Sequence, residues 1–335
     1  MALLQGAAPG TDIVLTEERM EASRNFGNKL WNAARFLFLN MERSGVEPWL
    51  PPSLEEYLPQ ADAESLDVRI EDRWIFSRLN STADQVNRAI AAYRYHEAAQ
   101  VLWHFFWHEF CDWYIELKKL RFRENSGITP GWRNTLASFE TALRLLHPAM
   151  PFMTEELWQR LATDRSSRPI SIAVAPYPQY RKELTDFAAE REVTLIQEIV
   201  TAARTLRTEA KLDPKQQLEG AVYSRGEPLE IARRHSDAVG KLANVKLQFH
   251  DGTAPKAAAV RSTAEFDLVL QVPKSQEEAQ RKRVDKEREQ LAKNIENSKR
   301  QLNDDIFLSK APAKVVDSIR QKLADYEAQL QKLND

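Results

Sequence analysis

The chain has one cysteine, Cys111, so no intramolecular disulfide can form and 335 residues must hold together without a covalent staple. That suits a reducing compartment. Glycine is scarce, at 10 residues, and neither G-x-x-x-x-G-K-[ST] nor G-x-G-x-x-G occurs. The glycine-loop chemistry of phosphate-cradling nucleotide sites is thereby excluded. No run of 18 apolar residues is present, which excludes a continuous apolar spanning helix. No signal peptide opens the chain, and the expectation is a cytoplasmic protein with no membrane partner. An excess of charge is also missing: 47 basic residues against 49 acidic ones leave a formal net charge of -2. Any nucleic-acid binding must then rest on local patches rather than on an overall field.

What the chain does have is helical periodicity. Residues 16–41 repeat apolar positions at helical spacing, with Met20, Ser23, Gly27, Leu30, Trp31, Ala34, Phe38 and Met41 on one side as the expected core stripe. The opposite side carries Asn25, Asn28, Lys29, Asn32 and Phe36, a chemically unusual wet face. Amides can read base edges, a cation can take phosphate and a ring can stack on an unpaired base. The alternative is that Phe36 packs on a neighbouring helix and the asparagines are solvated surface. Arg19, Arg24 and Arg35 lie nearer the edges of this stripe.

A proline-marked connection at 44–65 leads to a second helix at about 70–92 and a third at about 95–121. The third is dense in aromatic residues, and Leu102, Phe106, Phe110, Trp113, Leu117 and Leu120 follow core spacing. His104 and His108 are four apart beside Glu109, but the H-E-x-x-H order is absent and no third ligand is evident, so no metal is expected. Lys118, Lys119, Arg121 and Arg123 suit a helix C-terminus. A fourth helix is expected at about 131–147. In the run HPAMPFMTEELW, Pro148 and Pro151 permit a sharp turn, and Thr154 is the expected cap of a fifth helix with Glu155 and Glu156 in its first turn.

The pattern then changes. Ile170 to Ala175 reads as a short extended piece, 191–210 as a helix with Arg204, Arg207 and Lys211 on one stripe, and 218–223, 245–249 and 266–272 as strands, with a helical piece near 228–235. From Pro273 a heptad pattern runs through Val284, Leu291, Ile295 and Leu302, interrupted at Arg288 and Ser298. It breaks at 304–312 and resumes as Val316, Ile319, Leu323, Tyr326, Leu330 and Leu333. Two heptad helices joined by a short break predict an antiparallel coiled-coil hairpin. The expected fold is therefore mainly α: an all-helical bundle at 16–165, a small α/β domain at 166–272 and a coiled-coil arm at 273–335.

The blocks RNFGNKLWNAARF, Asp72-Arg73-Trp74-Ile75, Phe110-Cys111-Asp112-Trp113-Tyr114-Ile115-Glu116 and HPAMPFMTEELW resemble the anticodon-binding helical domain of class I aminoacyl-tRNA synthetases for branched aliphatic amino acids. The basic heptad helix followed by Asp305-Ile306-Phe307-Leu308-Ser309-Lys310-Ala311-Pro312 and Val315-Val316 is similar to the C-terminal arm of bacterial-type valyl-tRNA synthetases. The opening Gly6 to Ile13 looks like the segment that follows that family's catalytic core, so 1–15 is expected to be a linker from a catalytic domain not contained in this chain. The HIGH and KMSKS signatures do not occur here.

The resemblance implies a tRNA-binding part of a valine–tRNA ligase, inactive alone, whose ATP and magnesium belong to the parent enzyme's catalytic domain. Implied partners are tRNA for valine and that catalytic domain, with the chain a monomer and without cofactor or catalytic residue of its own. Anticodon candidates are Asn25, Asn28, Lys29, Asn32, Phe36 and Arg19. Arm candidates, acting on phosphates, are Arg281, Lys282, Lys286, Lys293 and Arg300. The competing reading is a helical or coiled-coil scaffold, or a paralogue, that binds a protein partner.

Overall fold

Thr16 starts the first helix: its Oγ1 accepts the backbone N–H of Arg19 at 3.3 Å, and Glu17 and Glu18 complement the positive first turn. From there α1 runs Glu17–Arg43. The computed structural model describes residues 1–4, 14–43, 68–122, 130–161, 169–213, 215–255, 259–271, 292–302 and 323. After α1 come α2 (Ile70–Ala91), α3 (Tyr95–His104), a π-helical segment (Phe105–Tyr114), α4 (Ile115–Phe122), α5 (Pro130–Leu146) and α6 (Pro151–Arg160). Two 3-10 turns, Ile172–Val174 and Lys182–Leu184, precede α7 (Phe187–Glu209). Then follow β1 (Leu218–Ser224), α8 (Gly226–Arg234), α9 (Ser236–Ala243), β2 (Val245–Asp251), β3 (Val260–Ser262) and β4 (Phe266–Leu270). The fold is mainly helical with one small sheet, as the periodicities predict.

Contacts divide the chain into two compact units, Met1–Glu198 with His235–Leu242, and Ile199–Arg234 with Ala243–Asp335. The first is the helical bundle. Its core is built from α1, α2, the aromatic helix, α5 and α6, with Phe26, Leu30, Leu37, Ile75, Leu79, Phe106, Phe110, Phe139 and Trp158 almost wholly buried. The stripe of α1 is rotated from the expected one. Phe26, Ala33 and Leu37 are buried with Gly27, Leu30 and Ala34, whereas Met20 and Trp31 are exposed. Two neighbours cause this. Phe26 packs on Trp103 and edge-on to Phe106, while on the other flank Gly27 abuts Met153, so the apolar arc is wider than one ridge. Met41 has no described side chain.

The aromatic helix is not a regular α-helix. At 3.6 residues per turn Phe105 and Phe110 would point roughly 140° apart. The wider π turn brings Phe105, Phe106, Phe110 and Tyr114 all into the core, and Phe110 stacks on Phe139 of α5 at 5.7 Å. Tyr114 therefore takes the buried place expected of Trp113, which is half-buried.

Thr154 is not a cap. Pro151 occupies the first turn of α6, where its missing N–H costs nothing, and Thr154 lies a turn inside, fully buried, its Oγ1 donating to Met150 O at 2.9 Å and meeting His147 Nδ1 at 2.7 Å. Glu155, past the first turn, instead accepts from Ser171 Oγ at 2.7 Å and so ties down the following loop. The expected extended piece at 170–175 is a 3-10 turn, because Ser171 caps it by accepting Ala173 N–H.

In the second unit the sheet order is β2-β1-β4-β3, with β1 parallel to β2 and antiparallel to β4. The parallel pair requires the helical crossover that α8 and α9 supply. The strand β3 and the helix α9 were not legible in the sequence. Leu218, Val222, Leu268 and Leu270 fill the buried face, and the paired Tyr223 and His250 stack on the other at 5.0 Å. Gly220 sits where β1 and β4 close up: a Cβ there would stand 2.7 Å from Val269 O and 2.8 Å from Leu270 Cδ2. Gly220→Ala is expected to cost about 1–3 kcal/mol, because backbone must shift to admit the methyl group. Urea unfolding would read this, and an unchanged midpoint would contradict it.

Candidate nucleic-acid interface

The outward ridge of α1 follows directly from its rotated packing. With Phe26, Ala33 and Leu37 turned inward, Arg24, Asn25, Asn28, Asn32 and Arg35 are exposed. Among the described residues nothing hydrogen-bonds the side-chain amides of Asn25, Asn28 or Asn32, which leaves six potential donors and three acceptors in the solvent. Arg19 lies at the N-terminal edge, where its Nη1 donates to Val14 O at 3.2 Å, and Arg24 pairs with Glu21 at 3.1 Å.

Lys29 and Phe36 are placed differently from the asparagines. Both are half-buried on the flank of α1 that faces the aromatic helix. Lys29 Nζ donates to Asp112 Oδ1 at 2.6 Å and lies 4.0 Å from the centre of the Trp107 ring. Lys119 Nζ reaches across from α4 to stand 5.2 Å over the Phe36 ring and bonds Glu116 at 2.6 Å. Between these pairs lies Cys111, whose thiol is pushed up to about 12 by burial, reinforced by Asp112 and Glu116 and opposed by Lys29 and Lys119. It is therefore a neutral packing group at physiological pH. His108 also faces Asp112, at 3.4 Å, and His104 faces Glu109, at 3.5 Å. Each histidine thus has a carboxylate neighbour, and among the described residues no group of three or more potential metal ligands occurs.

The flank of α1 thus meets a second set of polar and aromatic residues, Trp107, Asp112, Glu116 and Lys119, from the π segment and α4. Sequence reasoning missed that second set. Its only signal was that Asp112 and Glu116 are four apart on a helix whose other residues are mostly apolar. Lys118, read as a helix-end cation beside Lys119, is instead buried, with its Nζ 2.6 Å from Asp72.

On residues 292–302, which are helical, Lys293 and Arg300 are exposed, while Ile295, Ser298 and Leu302 are half-buried at the spacing expected of a seam. Arg281, Lys282 and Lys286, and most of the expected coiled coil, lie outside the described residues.

Comparison with known proteins matches the stretch that holds the aromatic helix and the stretch of the arm, with α1 lying before the first of them. Residues 72–222 fit the family model of the anticodon-binding domain of tRNA ligase, and residues 278–335 that of the valyl tRNA synthetase tRNA binding arm. A valine–tRNA ligase of Solibacter usitatus is 64% identical over 99% of this chain and 36% of its own length. One from Dehalococcoides mccartyi is 36% identical over 99% of this chain and 37% of its own length. One from Geobacter sulfurreducens is 38% identical over 95% of this chain and 35% of its own length. The chain thus spans little more than a third of the length of the relatives it matches. Two models in the order bundle then arm, with identity running from end to end, place the chain in the valyl-tRNA synthetase family, as the counterpart of that family's C-terminal region.

Proposed function

We propose that this chain is the tRNA-holding part of a valine–tRNA ligase. The α1 face receives the anticodon loop of tRNA for valine, and the basic arm steadies the tRNA through its phosphates. One observation supports the first half: exposed amides on α1 stand beside a lysine and an aromatic ring that meet the aromatic helix, and that second helix lies in the stretch the anticodon-domain model matches. Unpaired loop bases are where RNA sequence can be read, because their edges are free. Asn28 and Asn32 are placed to meet base edges, Lys29 to take a phosphate and Phe36 to offer ring surface, with Asn25 and Arg19 toward the rim. Lys293 and Arg300 contribute position and affinity without sequence information. Valine activation, with its ATP and magnesium, belongs to a catalytic part outside these 335 residues. Within this reading the chain acts in the cytoplasm as a monomer.

The test is a binding titration of the chain with tRNA for valine against tRNA for isoleucine, at stated salt. Preference for the first is the expected result, and equal or absent binding removes the reading. Within it, Phe36→Ala should weaken an anticodon stem-loop by about 1–3 kcal/mol, the range for one lost base stack. Its melting temperature separates the alternatives, since a mainly structural Phe36 would lower stability and leave the affinity of the folded fraction intact.

A further inference from the structure

The contact between α1 and the aromatic helix repeats one device twice. A lysine lies over an aromatic ring and is bonded to a carboxylate: Lys29 over Trp107 with Asp112 at 2.6 Å, and Lys119 over Phe36 with Glu116 at 2.6 Å. Both carboxylates belong to the aromatic helix, four residues apart, and both remain substantially exposed, at 43% and 41% of their side-chain surface. Solvent-facing pairs of this kind contribute little to folding, so their presence on a binding face calls for another account. A phosphate chain approaching this surface meets two cations already offset and two anions that repel it. Each lysine keeps further N–H donors, but its full charge reaches a phosphate only when the carboxylate lets go, and the released carboxylate is a pure acceptor that water or a donor on the RNA then satisfies.

We propose that Asp112 and Glu116 are selectivity residues of this face: they hold Lys29 and Lys119 against RNA in general, and yield them to an RNA that presents a hydrogen-bond donor to the released carboxylate. The inference rests on the RNA-binding reading of α1. Arbitrary single strands contribute phosphates but no fixed donor, so they lose the exchange. A loop held in one shape can place a base amino group where the lysine was, and it wins. His108, 3.4 Å from Asp112, is a further neighbour of the first pair, and among the described residues no histidine contact is recorded at the second. The two pairs therefore test the idea independently.

Asp112→Asn and Glu116→Gln, each in the full chain, keep shape and remove one anion. Each should tighten binding of a uridine oligonucleotide about fivefold near 0.1 M salt, which is what one additional single-strand phosphate contact with a salt slope of about 0.7 supplies. Each should also steepen the salt dependence by about that slope and narrow the ratio between tRNA for valine and tRNA for isoleucine. Adding Lys29→Gln to the Asp112→Asn variant should cancel the gain. Oligonucleotide affinity that stays level or falls in both variants, with melting temperatures like the parent's, overturns the proposal while leaving the RNA-binding reading in place. A parent chain that binds neither tRNA nor oligonucleotide overturns both.

Discussion

Asp72→Ala is expected to destabilise the helical bundle by about 3–5 kcal/mol, the cost of removing one partner from a buried ion pair. Asp72 and Lys118 have essentially no exposed side-chain surface. The Asp72 carboxylate accepts from Lys118 Nζ at 2.6 Å, from the Tyr114 hydroxyl at 2.7 Å and from the Arg69 backbone N–H at 3.3 Å, binding the first turn of α2 to the aromatic helix. Alanine would strand the Lys118 ammonium in a buried core and leave the Tyr114 hydroxyl only its 3.2 Å contact with Thr135. The measurement is the urea midpoint at constant slope. Asp72→Leu with Lys118→Met removes both charges together and should cost much less than the single change, because neither member of the pair is left without the other. A single-variant cost below about 1 kcal/mol would show that water reaches this site.

The same cluster fixes a pH dependence. Burial first, and then the Asp72 charge, hold the Tyr114 hydroxyl well above the ordinary tyrosine range, with the bond to Thr135 working in the other direction. The folded state thus keeps a proton that the unfolded chain releases near pH 10. The contribution is fully present below that pH and is lost as pH rises from there toward the folded-state value.

How much of this could be read beforehand depends on range along the chain. The polar face of α1 was legible because Asn25, Asn28 and Asn32 lie within two turns of one helix, and a 3.6-residue period brings them together without help. The partner of Lys29 was not, because Asp112 is 83 residues away and no local pattern relates them. Buried charges were misread for a related reason. Lys118 looks like any cation near a helix C-terminus, and only its neighbours make it a core residue. Thr154 looks like a cap by residue type, but Pro151, three residues earlier, is the better helix starter and sets the boundary. Long strands such as β1 and β4 declared themselves by composition. The three-residue β3 is too short to show a period of two, although its pairing with β4 is unambiguous in space. The π segment escaped because the spacing of Leu102, Phe106 and Phe110 fits an α-helix, and the departure shows in that Phe105 is buried too and Tyr114 rather than Trp113.

Glu140 sits in a network of the same kind and should give a loss of comparable size. On α5 it forms an i,i+4 pair with Arg144, Nε to Oε1 at 3.0 Å, with only a few per cent of either side chain exposed. Its Oε1 also accepts from Trp158 Nε1 at 2.9 Å, reaching α6, while Arg144 Nη1 donates to Pro176 O at 2.6 Å, reaching the loop beyond. One carboxylate thus fixes three segments of the bundle, and each of its partners is buried and polar. Glu140→Ala takes the carboxylate from the buried Arg144 charge and removes the acceptor 2.9 Å from the Trp158 N–H. The expected loss is about 3–5 kcal/mol, or on the order of 10 °C in melting temperature for a domain of this size. Glu140→Gln preserves the volume and one acceptor but turns an N–H₂ toward a guanidinium or an indole N–H, so it should recover only a minor part. Hydrogen exchange locates the effect: protection of α5 and α6 amides should fall together, since the network couples them. A loss confined to α5 would mean that the Trp158 bond contributes no coupling. A glutamine variant as stable as the parent would mean that shape rather than charge holds the network.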